Sequence, residues 1–239
     1  MASLPNSKPD RVLVKTTLPI RPTPLNSSRQ PVTTSRLIIR SIVPEDIKSL
    51  HVLRTQPEVM ANNPQGRIDK DMEETQRRLD LFLPPKDEGT FNFAICLKET
   101  GEMIGTGGCY RFTSMFGWPI IGYMIRKEFW NQGIVTEFLQ AWLDMWRNLP
   151  REAAEIEVDV RTLLDRDGPV LEQIVTWAVS DNIGSQRVLE KSGFENFLTW
   201  TEPDLRNPET NVDLKAFRYF LTKGYGVVSV GVLYGLILE

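Results

Sequence analysis

Phe129-Trp130-Asn131-Gln132-Gly133-Ile134-Val135-Thr136-Glu137 sets a lone glycine between an aromatic pair and the start of an apolar helical repeat. Glycine inside a helix costs roughly 0.5–1 kcal/mol relative to alanine, so Gly133 reads as serving a backbone need at the helix start. Downstream, Val135, Phe138, Leu139, Trp142, Leu143 and Trp146 recur at helical spacing, while Glu137, Gln140 and Asp144 fall on the other side. A strand that feeds such a helix makes an anion site, because the first-turn N–H groups lack partners and a small residue lets a phosphate approach. A glycine there also eases a plain strand-to-helix turn. On this stretch alone both readings stand.

Working outward, three strands precede the stretch closely: Thr90 to Leu97, Met103 to Arg111 and Pro119 to Ile125, an antiparallel meander. Before them, Ser35 to Arg40 alternates as a strand, and Pro44-Glu45-Asp46 opens a helix that runs to about Arg54 and stops before Pro57. A loop follows at Asn62 to Gly66, then a helix over Lys70 to Leu83 that ends at Pro84-Pro85. Beyond the long helix, Val170 to Val179 reads as a strand. Asp181-Asn182 then opens a short helix closed at Gly193, and two strands complete the succession, about Glu195 to Trp200 and Val212 to Leu221. Glu155 to Gly168 lies outside this order and reads as an inserted hairpin arm or loop.

The chain of 239 residues is 41% hydrophobic and 25% charged, an ordinary globular composition, and reads as one large domain. With 28 basic against 31 acidic side chains the net charge is −3, so there is no bulk phosphate-seeking signature and nucleic acid is not an expected partner. Cys96 and Cys109 lack CxxC spacing, and the single histidine, His51, cannot complete a zinc site with them. We expect no metal and a reducing, cytoplasmic setting. The proline-rich N-terminus lacks the apolar core of a signal peptide and reads as an extended arm. The apolar tail from Val227 to Leu238 is shorter than the roughly 20 residues a bilayer-spanning helix needs, so no membrane partner is expected. Exposed apolar segments invite association, so the tail reads as packed on the protein, where it would support a homodimer, the alternative being a disordered extension.

A second stretch, Asn182-Ile183-Gly184-Ser185-Gln186-Arg187-Val188-Leu189-Glu190-Lys191-Ser192-Gly193-Phe194, reads by itself as a capped helix, with Asn182 as N-cap and Gly193 as C-cap. Taken with Thr34-Ser35-Arg36-Leu37-Ile38-Ile39-Arg40 and Trp130 to Glu137, it resembles the motif set of the GNAT superfamily of N-acetyltransferases, in the branch of ribosomal-protein N-terminal acetyltransferase-like enzymes. That branch typically carries T-x-R-L-x-L-R, then W-G-x-G-(Y or I)-A-T-E, then N-x-x-S-x-x-V-L-E-K-x-G-F. The resemblance runs from about Thr34 to Leu221. Two positions depart from it: Asn131 stands where glycine is usual, and Val135 where alanine or glycine is usual, which bears on how closely a phosphate can approach.

The resemblance implies an α/β GNAT fold, a mixed sheet of about seven strands with a splayed cofactor cleft and about four flanking helices. It divides the chain into a proline-rich arm (1–33), an acetyltransferase domain (34–223) and a hydrophobic tail (224–239). It also implies acetyl-CoA as acyl donor, with its pyrophosphate on the backbone amides of Gln132, Gly133, Ile134, Val135 and Thr136. Its pantetheine arm would lie along the backbone of Met124, Ile125 and Arg126 and be reached by the Asn182 side chain. The reaction implied is direct attack of a primary amine, on a protein N-terminus or a small molecule, with Ser185 as general acid. A catalytically silent CoA-binding module is the alternative. No motif names a base; Tyr123 and Glu172 are the placed candidates, and His51 reads as a packing or surface residue. An α-amine with a pKa of about 8 is partly neutral at physiological pH, so a strong protein base is not obligatory.

Overall fold

A computed structural model of the chain describes residues 10–164 and 170–221. The apolar tail and Asp165 to Gly168 lie outside the described residues. In chain order the elements are β1 (Arg11–Pro19), β2 (Val32–Thr33), β3 (Leu37–Arg40), α1 (Ile47–Arg54), α2 (Pro57–Met60), α3 (Met72–Leu79), β4 (Phe91–Leu97), β5 (Met103–Arg111) and β6 (Ile120–Ile125). Then come α4 (Ile134–Arg147), β7 (Arg151–Asp159), β8 (Gln173–Val179), α5 (Ile183–Lys191), β9 (Glu195–Asp204) and β10 (Asn207–Phe220). Eight strands form one mixed sheet in the order β2-β3-β4-β5-β6-β8-β10-β9, and β1 pairs with β7 in a separate ribbon. The architecture is the GNAT fold.

Helix α4 buries the face its sequence predicts: Ile134, Val135, Phe138, Leu139, Trp142, Leu143 and Trp146. Trp142 and Trp146 stack with centroids 5.1 Å apart, and each indole N–H is satisfied, Trp142 donating to the Phe91 carbonyl and Trp146 to Glu172. Burying each such side chain stabilises the fold by roughly 1.5–3 kcal/mol, provided its polar atom finds a partner. Helices α1 and α3 cover the opposite face of β3–β5 through Leu50, Leu53 and Leu79. His51 links these two helices, its Nδ1 lying 2.7 Å from Thr75 Oγ1. Phe112, Phe116 and Trp118, around the turn between β5 and β6, are all buried in core clusters.

Three features depart from the sequence reading. Pro57 does not only stop α1; at the first helical position, where its missing N–H is harmless, it starts α2. The segment read as an inserted arm or loop contributes β7, which pairs antiparallel along all of β1, Arg11 with Asp159 through Pro19 with Arg151. The N-terminal arm therefore supplies a strand, and Val14 joins Phe116, Trp118 and Val158 in a core beneath the ribbon. The arm also supplies Arg29, whose guanidinium donates to the carbonyls of Pro24, Asn92, Asp87 and Thr90 and to Asn26 Oδ1 while lying over Phe91 and Phe93. Last, β9 and β10 outrun their expected spans and form a long hairpin, joined across its polar outer part by Thr201 Oγ1 donating to Asp213 Oδ1 (2.6 Å).

Candidate active site

β6 and β8 are parallel neighbours, yet they share a single register pair, Ile120 with Val175. Beyond it they part, and a cleft opens toward their C-terminal ends. The peptide groups of Arg126 are spent inside the fold, its N–H donating to the Ile104 carbonyl and its carbonyl accepting from Phe129. Strand alternation turns Met124 the same way, opposite Thr106 of β5, so Tyr123 and Ile125 direct their peptide groups to the open side. The Ile125 carbonyl already accepts from the Trp130 indole (2.9 Å), which leaves its N–H facing the cleft. This geometry moves the cleft-facing backbone from Met124 and Arg126 to Tyr123 and Ile125.

At the far end of β6 the chain makes two left-handed residues, Asn131 (φ 59°) and Gly133 (φ 73°), before α4. Asparagine and glycine are the residues that enter this region most easily, which accounts for both. A Cβ at Gly133 would meet only Arg36 Nη2 at 3.6 Å, so the position needs its backbone angle and stands in open space. No side chain caps α4. The amides of Ile134, Val135 and Thr136 therefore point outward with the positive end of the helix dipole. The branched Val135 side chain turns into the core, away from these amides.

Glu137 fastens this helix start to the opening strand. Its carboxylate accepts from Thr34 Oγ1 (2.6 Å), the Arg36 backbone N–H (2.9 Å) and Arg36 Nε (2.7 Å), while Arg36 Nη1 donates to the Gln132 carbonyl (2.8 Å). Burial opposes its charge, but the bonds from Thr34 and Arg36 outweigh that cost and bring the carboxyl down to about 2. The T-x-R and T-E pairs, 101 residues apart between Arg36 and Glu137, are thus one structural unit.

Helix α5 starts differently. Asn182 Oδ1 accepts from the Ser185 backbone N–H (3.0 Å) and caps the helix. The Ser185 hydroxyl lies 2.7 Å from the Tyr123 hydroxyl, which reaches it from β6 across the cleft. Burial pushes the Tyr123 phenol up to about 12, against the opposing effect of its bond to Ser185, so the phenol stays protonated at neutral pH and is no base there. Glu172 precedes the Ile120–Val175 pair and sits at the closed end of the cleft. Its burial raises its pKa, opposed by Arg151 (3.1 Å) and by hydrogen bonds that include the Trp146 indole. The structure thus brings Ser185, Tyr123 and Asn182 together, sets Gln132 to Thr136 at the second helix start, and leaves Glu172 and His51 apart from them.

Residues 36–195 match the family described as the acetyltransferase (GNAT) domain. The chain belongs to that family. It is an acyl-CoA-dependent N-acetyltransferase. The chain is similar to an uncharacterized N-acetyltransferase, p20, of Bacillus licheniformis, 33% identical over 131 residues that cover 52% of this chain and 71% of that one. Among solved structures, it shares its fold with a GNAT acetyltransferase from Bacillus anthracis (18% identity, TM-score 0.58, covering 80% of this chain and 98% of that one). It also shares it with RimL, a ribosomal alpha-N-protein acetyltransferase in complex with coenzyme A (17%, TM-score 0.59, 80% and 98%). A third is spermidine N-acetyltransferase from Vibrio cholerae in complex with CoA and spermine (15%, TM-score 0.58, 78% and 96%).

Proposed function

We propose that this acetyltransferase transfers acetyl from acetyl-CoA to a primary amine, with Ser185 as proton donor to the departing thiolate. The observation that carries the reading is the Ser185–Tyr123 hydroxyl pair at the open cleft. When bound, acetyl-CoA supplies a thioester carbonyl open to attack by a neutral amine. The residues fit this group: the uncapped α4 start, with its left-handed approach at Asn131 and Gly133, offers the amides of Gln132 to Thr136 to the pyrophosphate. The free N–H of Ile125 and the peptide of Tyr123 offer strand-like bonds to the pantetheine arm. The Asn182 amide group, whose oxygen caps α5, presents its NH2 to the same arm.

Ser185 gives its proton to the departing thiolate as the carbon–sulfur bond breaks, and its hydroxyl is restored by the proton that the amine nitrogen sheds after forming the carbon–nitrogen bond. Tyr123, protonated throughout, holds the serine hydroxyl toward the cleft. Holding both reactants in one cleft supplies much of the acceleration by proximity. The amine must arrive neutral, so with an α-amine acceptor the rate rises with pH up to about 8. A thiol-release assay with acetyl-CoA against unbranched amines, ring-bearing amines and N-terminal peptides tests the reading. Thiol release with at least one amine is expected; none with any overturns it, and a rise in melting temperature on adding CoA would then leave a CoA-binding module.

A further inference from the structure

The open end of the cleft is crossed by a bridge. β10 begins at Asn207, well before Leu214 reaches its partner Val179 at the end of β8, so the β9–β10 hairpin projects past the C-terminal edge of the sheet. Its tip carries Arg206. On the other side of the cleft, α2 and the loop after it are tied to the end of β6: Gln56 Oε1 accepts from the Lys127 backbone N–H (2.9 Å), and Asn63 Nδ2 lies 3.3 Å from Met124 Sδ. Arg206 joins the two sides. Its Nη1 donates to the Ala61 carbonyl (2.7 Å), and Asp204 holds the remaining face of the guanidinium through Nε (2.8 Å) and Nη2 (2.7 Å). Its aliphatic stem lies on Gly66, where an added Cβ would stand 2.5 Å from Arg206 Cγ, and Gly66 has a left-handed φ of 66°. The charge of Asp181, at the end of β8, adds to that of Asp204 in favouring the guanidinium.

We propose that Arg206 is a specificity-determining residue that closes the acceptor end of the cleft into a slot, so that the enzyme takes primary amines on slender, unbranched chains and excludes amines carried on substituted rings. The proposal rests on the amine-acetylation reading above. A bidentate anchor on Asp204 and a third bond across the cleft suit a planar guanidinium and no other side chain, because lysine offers one compact charge without the fork. Gly66 completes the fit, since any side chain there would push the stem away.

The test reads the slot both with and without turnover. In Met124→Cys the new thiol lies under the α2 loop, and the native Cys96 and Cys109 are buried, so labelling reports that position. We compare 2-aminoethyl methanethiosulfonate, a slender cation, with fluorescein maleimide, each rate taken relative to free cysteine. In the Met124→Cys background the slender reagent should react at least about tenfold faster, and adding Arg206→Ala should remove that difference, since one charge-assisted hydrogen bond is worth about a factor of ten or more. In the otherwise native enzyme, Arg206→Ala should extend thiol release to ring-bearing amines while keeping the unbranched ones, and Arg206→Lys should fall between. An unchanged labelling ratio in Arg206→Ala, or no labelling by either reagent, overturns the slot. Absence of turnover with every amine, while the labelling ratio responds to Arg206, overturns the acetylation reading and leaves the slot standing.

Discussion

Two helices start beside the cleft, and they start in opposite ways. α5 is capped by a side chain, with Asn182 accepting from Ser185, while α4 begins at a left-handed glycine with no side-chain cap. A capped start spends one of its backbone donors on the capping side chain and fixes the residues of the first turn in place, which suits a side chain that must meet a reacting atom. An uncapped start leaves its N–H groups and its dipole for a ligand, which suits an anion. On the proposed reading the cleft separates its two tasks between two helix ends, with anion holding assigned to α4 and proton delivery to α5. Tyr123 of β6 joins them, since its backbone faces the cleft and its hydroxyl touches Ser185.

The largest effect expected from breaking this comparison lies at α5. Ser185→Ala should lower kcat by roughly 10²- to 10⁴-fold with acetyl-CoA affinity nearly unchanged, because a positioned proton donor acts in the transition state. Equal kcat in variant and parent at saturating substrates would remove Ser185 from the mechanism. Tyr123→Phe, which deletes one hydrogen bond to that serine, should cost about tenfold in kcat, and the double variant should be no worse than Ser185→Ala.

At α4 the corresponding break is Gly133→Asp, a charge placed where the anion would sit. The parent should gain about 2.7 kcal/mol of stability when CoA is present at a hundred times its Kd, and the variant should gain none. Gly133→Asn separates charge from backbone angle, since Asn131 already adopts the same left-handed region. It should keep most of the CoA response. A melting temperature that rises with CoA equally in Gly133→Asp and parent would end the anion assignment.

A smaller effect sharpens the capped end. Asn182→Ala should lose about 1 kcal/mol of stability with its cap, whereas Asn182→Asp keeps an oxygen for the Ser185 N–H and should keep that stability. If the Asn182 NH2 also serves the cofactor, Asn182→Asp should weaken acetyl-CoA binding without lowering the melting temperature. Unchanged affinity in Asn182→Asp would confine Asn182 to capping.

The smallest effect is a pH dependence at the α4 anchor. Glu137 titrates at about 2 in the fold against an ordinary 4.5, so the unfolded chain binds its proton first as the pH falls. Its contribution to stability is present above 4.5 and is lost as pH falls from 4.5 through 2. The parent should lose stability over that window more steeply than Glu137→Gln, measured by urea unfolding at successive pH values. Parallel curves would show that the Thr34–Arg36–Glu137 cluster holds no differential charge energy.

The sequence by itself determined the parts whose signal is local. The apolar stripe of α4, the cap and closing glycine of α5, the meander of β4 to β6 and the glycine need at position 133 each depend on residues within a turn or a strand of one another, where spacing dictates which side chains share a face. Their motif types and order also made the family resemblance legible. Tertiary structure decided what depends on distant residues meeting. The alternation Val12, Val14, Thr16 was present in the arm, but only β7 made it a strand, and nothing local marks Arg29 as a buried residue with five acceptors. Sequence could name Tyr123, Ser185, Thr34 and Glu137 separately. That the first two share a 2.7 Å contact, and the last two a 2.6 Å one, follows from how strands and helices pack. The divergence of β6 from β8 after one register pair, the turn of Tyr123 and Ile125 toward the gap, and the reach of Arg206 across it are of the same kind. Each is set by the geometry between elements, which a pattern within one element does not encode.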